Sequence, residues 1–158
     1  MAMSSGGQWQ DILFARRNGA KLIVVDPRRC ESAKQSDIWL QIRPGTDGAL
    51  ALGMLHVIIN ESLYDTDFVN NYCLGFERLR EHVQQYTPKR VAEITSLSPE
   101  QIIQAARTFA TNRPASYRGN NGVSQHSNST QTARAFSILT AITGNIDIPG
   151  GTLTPTLP

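Results

Sequence analysis

Little in this sequence is extreme, and each shortage closes off a class of protein. There are only two cysteines, Cys30 and Cys73, far apart and outside any CxxC spacing. That excludes a disulfide scaffold and any cysteine-built zinc or iron–sulfur site, and leaves two free, largely buried thiols as the plain expectation. Charge of one sign is also missing. Fifteen Lys and Arg against 13 Asp and Glu leave +2, which argues against a nucleic-acid or membrane-surface protein that works by bulk charge. No apolar run approaches the ~18 residues of a membrane span. The first seven residues have neither a basic region nor an apolar stretch, so they do not read as a signal peptide. Residues 1–8 read instead as appended or linker residues. GxGxxG, P-loop and GxSxG motifs are all absent. What remains is 158 residues, 40% of them hydrophobic: enough to bury a core and about one domain in length.

Local patterns alternate between strand and helix. Trp9, Ile12, Leu13 and Arg16 share a helical face that Asn18-Gly19 closes. Lys21 to Val25 is short, continuously apolar and stopped by Asp26-Pro27, as a strand buried on both faces would be. Ile38 to Ile42 predicts a second strand. Thr46-Asp47 caps a helix apolar over much of its surface, through Ile59. Helices are predicted over 65–72 and 76–85. Thr87-Pro88 and Ser98-Pro99 each set a capping hydroxyl before an N1 proline, and Ser98 with Gln101 suits a capping box. Residues 114–117 suggest a third strand, 118–130 a polar loop, 132–143 a helix, and 147–158 an irregular tail. The predicted fold class is α/β: a Rossmann-like layered domain with a short parallel sheet and a helix-rich middle.

Ligands of open parallel sheets bind beyond the carboxyl ends of the strands. Three segments fall there. In Val25-Asp26-Pro27-Arg28-Arg29 a strand-end carboxylate can accept from a ribose or base, and two guanidinium forks can hold a phosphate. The same residues also suit an ordinary turn with solvated arginines. In Pro44-Gly45-Thr46-Asp47 the glycine permits close approach, and a carboxylate can accept the paired N1–H and N2–H₂ donors of guanine. Asp47 equally suits a plain helix cap. Gly119 to His126 is dense in amides, which suit a heterocycle better than a metal; a polar loop is the alternative. His126 alone reads as a surface histidine and not as a catalytic base. His56 and His82 sit on helical patterns without a chemical role, and Glu31, Glu61, Glu77 and Glu81 read as solvated charges.

Together, and in order, these segments resemble the molybdopterin oxidoreductases of the dimethyl-sulfoxide-reductase type, which include formate dehydrogenases, nitrate reductases and thiosulfate or polysulfide reductases. The segment Lys21-Leu-Ile-Val-Val-Asp-Pro-Arg-Arg-Cys-Glu-Ser-Ala-Lys34 carries the resemblance first. Arg43-Pro-Gly-Thr-Asp47 is similar to the family's PGTD segment. Gly122-Val-Ser-Gln-His126 is similar to its pterin loop, and Thr143-Gly-Asn-Ile146 with Pro149-Gly-Gly151 to its TGNIGxPGGG segment. The resemblance runs from about residue 11 to 153.

The resemblance implies one domain over 9–153, with 154–158 an irregular tail. It implies a molybdopterin guanine dinucleotide cofactor carrying molybdenum or tungsten. Val25, Asp26, Pro27, Arg28 and Arg29 would line its guanosine and phosphates. Gly45, Thr46 and Asp47 would read guanine, and Asn121, Gly122 and Gln125 would meet the pterin. No catalytic or metal-ligating residue is assigned. The family's cysteine cluster is missing from this sequence, so the iron–sulfur centre is expected in a longer parent and not here. The chain is then a part of a respiratory oxidoreductase subunit, inactive alone. Its partners would be the rest of that subunit and an iron–sulfur electron-transfer subunit. An open sheet edge would favour pairing with a second copy. Cytoplasm and periplasm both stay open. Two departures stand out: Arg118 and Asn121 occupy positions where the family often has tryptophan and methionine. They keep a different class in view, a non-enzymatic α/β nucleotide-binding or interaction module.

Overall fold

The computed structural model describes residues 6–153; the linker expected over 1–5 and the irregular tail expected over 154–158 lie outside them. Residues 6–8, expected as linker, open the first helix, α1 (Gly6–Arg17). Its end is a Schellman closure: Gly19 N–H donates to Arg16 O at 3.0 Å and Ala20 N–H to Ala15 O at 3.1 Å. Gly19 takes the left-handed φ of 95° that this closure needs. Then come β1 (Ile23–Val25), the single-turn helix α2 (Glu31–Lys34) and β2 (Ile38–Leu40). The strands pair in parallel, Ile23 opposite Ile38 and Val25 opposite Leu40. All three β1 residues are half-buried, whereas the apolar run predicted burial on both faces. The Asp37 carboxylate accepts Leu22 N–H at 2.8 Å and faces Arg16 and Lys21 at 3.4 and 3.7 Å. That amide first, and then the two cations, holds Asp37 below the ordinary carboxylate range.

These elements form one compact unit, ending at Ile42; a second begins at Arg43. The second unit is helical: α3 (Asp47–Asn60), α4 (Thr66–Tyr72), α5 (Phe76–Val83), α6 (Pro88–Thr95), α7 (Pro99–Thr111), α8 (Asn121–Ser124) and α9 (Ser129–Ile142). A helix apolar all round must be central, and α3 is. It packs against α5, α6, α7 and α9, with Leu50, Leu55 and Ile58 fully buried. Each such side chain contributes about 2 kcal/mol of burial. Gly53 gives α6 room to approach, since a Cβ there would sit 3.0 Å from Val91 Cγ2. The caps follow the local chemistry. Asp65 Oδ1 accepts Phe68 N–H at 2.8 Å. Ser98 and Gln101 make the reciprocal capping box, at 3.2 and 2.9 Å.

Two expectations fail here. Residues 114–117 form no strand. Pro114 has no N–H to donate, and the Ala115 N–H is taken by the buried Asn145 side chain at 2.8 Å, so no ladder can form. The polar stretch 118–130 is not all loop either: it holds α8 and the start of α9. Both cysteines are free and half-buried. Among the described residues, no helix is long and apolar enough to cross a membrane.

Candidate functional site

The Asp47 carboxylate is the centre of the candidate site. It sits in the first turn of α3, after a turn that Gly45 makes possible with φ 81°. Thr46, expected as a cap, donates its hydroxyl back to Arg43 O at 2.7 Å instead, which tightens the turn. Asp47 is half-buried. Burial raises its carboxyl above the ordinary range; its own amide and nearby His126 pull the other way, less strongly. A half-buried carboxylate at a helix N-terminus can accept further hydrogen bonds.

Two further side chains converge on it. His126 is exposed, and its ring lies directly against Gly45: a Cβ at that glycine would stand 3.2 Å from Nδ1. Glycine suits this position for its φ, and the exposed imidazole packs on it where a side chain would stand. Tyr117 stacks on Phe136 of α9, with centroids 4.2 Å apart and planes 4° from parallel. Its hydroxyl oxygen is buried with no hydrogen-bond partner among the described residues. Burial, with the Asp47 charge nearby, pushes the phenol up to about 12, so it stays a neutral donor at physiological pH.

Gly45, Thr46 and Asp47 carry local sequence signals; Tyr117 carries none, and His126 is exposed as expected of a surface histidine. Tyr117 had no local signal, because its role comes from Phe136, 19 positions along the chain. The other expected residues stand as follows. Asn121, Gly122 and Gln125 lie together on the single turn of α8 and just after it, all exposed. Gln125 N–H donates to Asn121 O at 3.0 Å.

In the first unit, Val25 ends β1, and Asp26 closes its own turn. Its Oδ1 accepts Arg28 N–H at 2.8 Å, and the Cys30 thiol lies 3.5 Å from Oδ2. Pro27 O accepts from Gln41 Nε2 at 3.2 Å. Arg28 and Arg29 are exposed, with the Arg29 guanidinium 5.9 Å over the Trp39 ring. The Asp26 carboxylate thus has a local structural role, whereas Asp47 accepts from its own backbone amide. Among the described residues no group of three or more His, Cys, Asp or Glu could hold a metal ion.

The fold is a helix-rich α/β arrangement with a short two-strand parallel sheet. The family model of molybdopterin oxidoreductases matches residues 10–156, and the chain belongs to that family. Acetylene hydratase of Syntrophotalea acetylenica is 50% identical over 138 residues, covering 87% of this chain and 19% of the relative. Formate dehydrogenase H of Escherichia coli is 40% identical over 144 residues, 91% of this chain and 20% of the relative. The solved structure of acetylene hydratase from Pelobacter acetylenicus superposes with a TM-score of 0.85, over 87% of this chain and 19% of that one. The chain spans about a fifth of the length of these relatives.

Proposed function

We propose that the second unit binds the guanine end of a molybdopterin guanine dinucleotide, as part of a molybdenum or tungsten oxidoreductase subunit. The observation that carries the reading is Asp47. Guanine offers N1–H and N2–H₂ side by side, and a carboxylate accepts both in parallel. Adenine has the N1 acceptor and only a C–H at C2 at the corresponding positions, so it would set a lone pair against the carboxylate. Asn121, Gly122 and Gln125, with exposed amides, would serve the pterin end. The first unit, taken by itself, offers the strand end at Val25 and Asp26, the turn at Pro27 and the exposed guanidinium groups of Arg28 and Arg29, chemistry suited to a ribose and a phosphate. The metal held by the pterin supplies the reaction chemistry when the cofactor is bound. This chain's own residues hold and orient, and none acts as a catalytic acid, base or nucleophile, so the chain alone is inactive. An iron–sulfur centre and an electron-transfer partner belong to the same proposal for the parent enzyme.

Calorimetric titration with GDP, with ADP as control, tests the base site. GDP is expected to bind about tenfold more tightly than ADP, the scale of one well-made charged hydrogen-bond pair. Asp47→Ala should erase that preference. Equal affinity for the two nucleotides, or a preference that survives in Asp47→Ala, would refute the assignment.

A further inference from the structure

Between Tyr117 and the start of α9, residues 118–128 contain no buried side chain: Val123 is half-buried and the others are exposed. Their hydrogen bonds are local. Val123 N–H donates to Asn120 O at 2.8 Å, Gln125 N–H to Asn121 O at 3.0 Å and Ser129 N–H to His126 O at 3.1 Å. Among the described residues none of these bonds reaches past Thr132, whose N–H donates to Asn128 O at 3.0 Å. Both ends of the segment are nevertheless fixed. Tyr117 stacks on Phe136, and Thr132, in the first turn of α9, lies against α3: a Cβ at Gly48 would stand 3.0 Å from its Oγ1. Between these ends the His126 ring is seated on Gly45, 3.2 Å from where a Cβ would be. The seats on Gly45 and Gly48 bracket Asp47 in the chain. A segment with fixed ends, exposed local hydrogen bonds and no buried side chain opens and recloses far more readily than the core beneath it.

We propose that residues 118–128 are a strap that opens and closes over the turn carrying Asp47, latched by the His126 ring on Gly45 and pivoting beside Tyr117, and that it closes on a guanine nucleotide held at Asp47. What the strap closes on rests on the guanine reading above; its motion in the free chain does not. Gly119 sets the pivot. A Cβ there would stand 2.5 Å from the Tyr117 hydroxyl oxygen, so a larger residue would hold the strap off the stacked ring. A nucleotide that contacts the closed strap shifts it toward closure by its differential affinity for that state.

Hydrogen–deuterium exchange of the whole chain, free and with equal concentrations of GDP or ADP, reads both parts. In the free chain His126→Ala should speed exchange of the 118–128 amides about threefold, the scale of losing one exposed ring's packing, and leave the 133–142 amides of α9 unchanged. Gly119→Ala acts at the other end of the strap and should do the same. In wild type GDP should slow the strap amides about threefold or more and ADP less, and Asp47→Ala should remove the difference. Strap amides that exchange as slowly as those of α9, or that neither variant moves, would overturn the strap. A GDP preference that depends on Asp47 in calorimetry, with strap exchange unchanged by GDP, would overturn the closure and leave the guanine reading standing. Absence of an Asp47-dependent GDP preference would overturn the guanine reading and the closure together, with the motion of the free strap decided by the two variants alone.

Discussion

Asn145 has no solvent exposure, and its amide joins two chain segments of the second unit. Oδ1 accepts Ala115 N–H at 2.8 Å, and Nδ2 donates to Thr143 Oγ1 at 2.9 Å. Replacing it with alanine leaves a half-buried backbone N–H without its acceptor, which costs about 1–3 kcal/mol. Thr143 loses an accepted bond worth roughly 1 kcal/mol more, while its own donation to Leu139 O at 2.8 Å survives. Asn145→Ala should therefore destabilise the second unit by about 2–4 kcal/mol. For a chain of this size that is on the order of 5–15 °C in thermal midpoint. Asn112→Ala is the control: its amide donates to Thr108 O at 2.9 Å but is exposed, so water replaces the bond and the expected cost is below about 0.5 kcal/mol. Both tryptophans, Trp9 and Trp39, lie in the first unit. Urea unfolding is therefore best followed by the helical circular dichroism signal, which the second unit dominates. A loss below about 1 kcal/mol for Asn145→Ala, or an equal loss for Asn112→Ala, would refute the argument that burial decides the value of this amide.

Two further outcomes follow from the same geometry. Asp47 has a raised carboxyl because burial disfavours its charge, so the ionised form costs stability at neutral pH. That cost disappears as pH falls through the raised value to the unfolded carboxylate range near about 4. Asp47→Asn should thus melt higher than wild type at pH 7, with the gap closing toward pH 4; a constant or reversed gap in thermal scans would contradict this. Gly151→Ala would bring a Cβ within 2.5 Å of Asn145 O. That contact is with backbone and cannot turn aside, so a loss of about 1–3 kcal/mol is expected by urea unfolding. An unchanged midpoint would show that the 146–152 turn adapts.

Sequence alone determined the elements whose signals are local. Capping chemistry placed α6 and α7, because Thr87 and Ser98 satisfy backbone donors three residues away. The apolar spacing of 47–59 marked the helix that became α3, and packing made it central. The PGTD order was legible as a turn, a helix start and a carboxylate. Tertiary structure decided what depends on distant partners. It denied residues 114–117 a place in a sheet, because Asn145, 30 positions away, takes the Ala115 N–H. It also gave Asp26 and Asp47 different roles despite similar local settings: one carboxylate closes its own turn, the other is half-desolvated. And it placed His126 on Gly45 and Tyr117 on Phe136, contacts that no periodicity encodes. Hydrogen-bond caps are written within a turn of chain, whereas the burial and field that set a carboxylate's chemistry exist only once remote segments have packed around it.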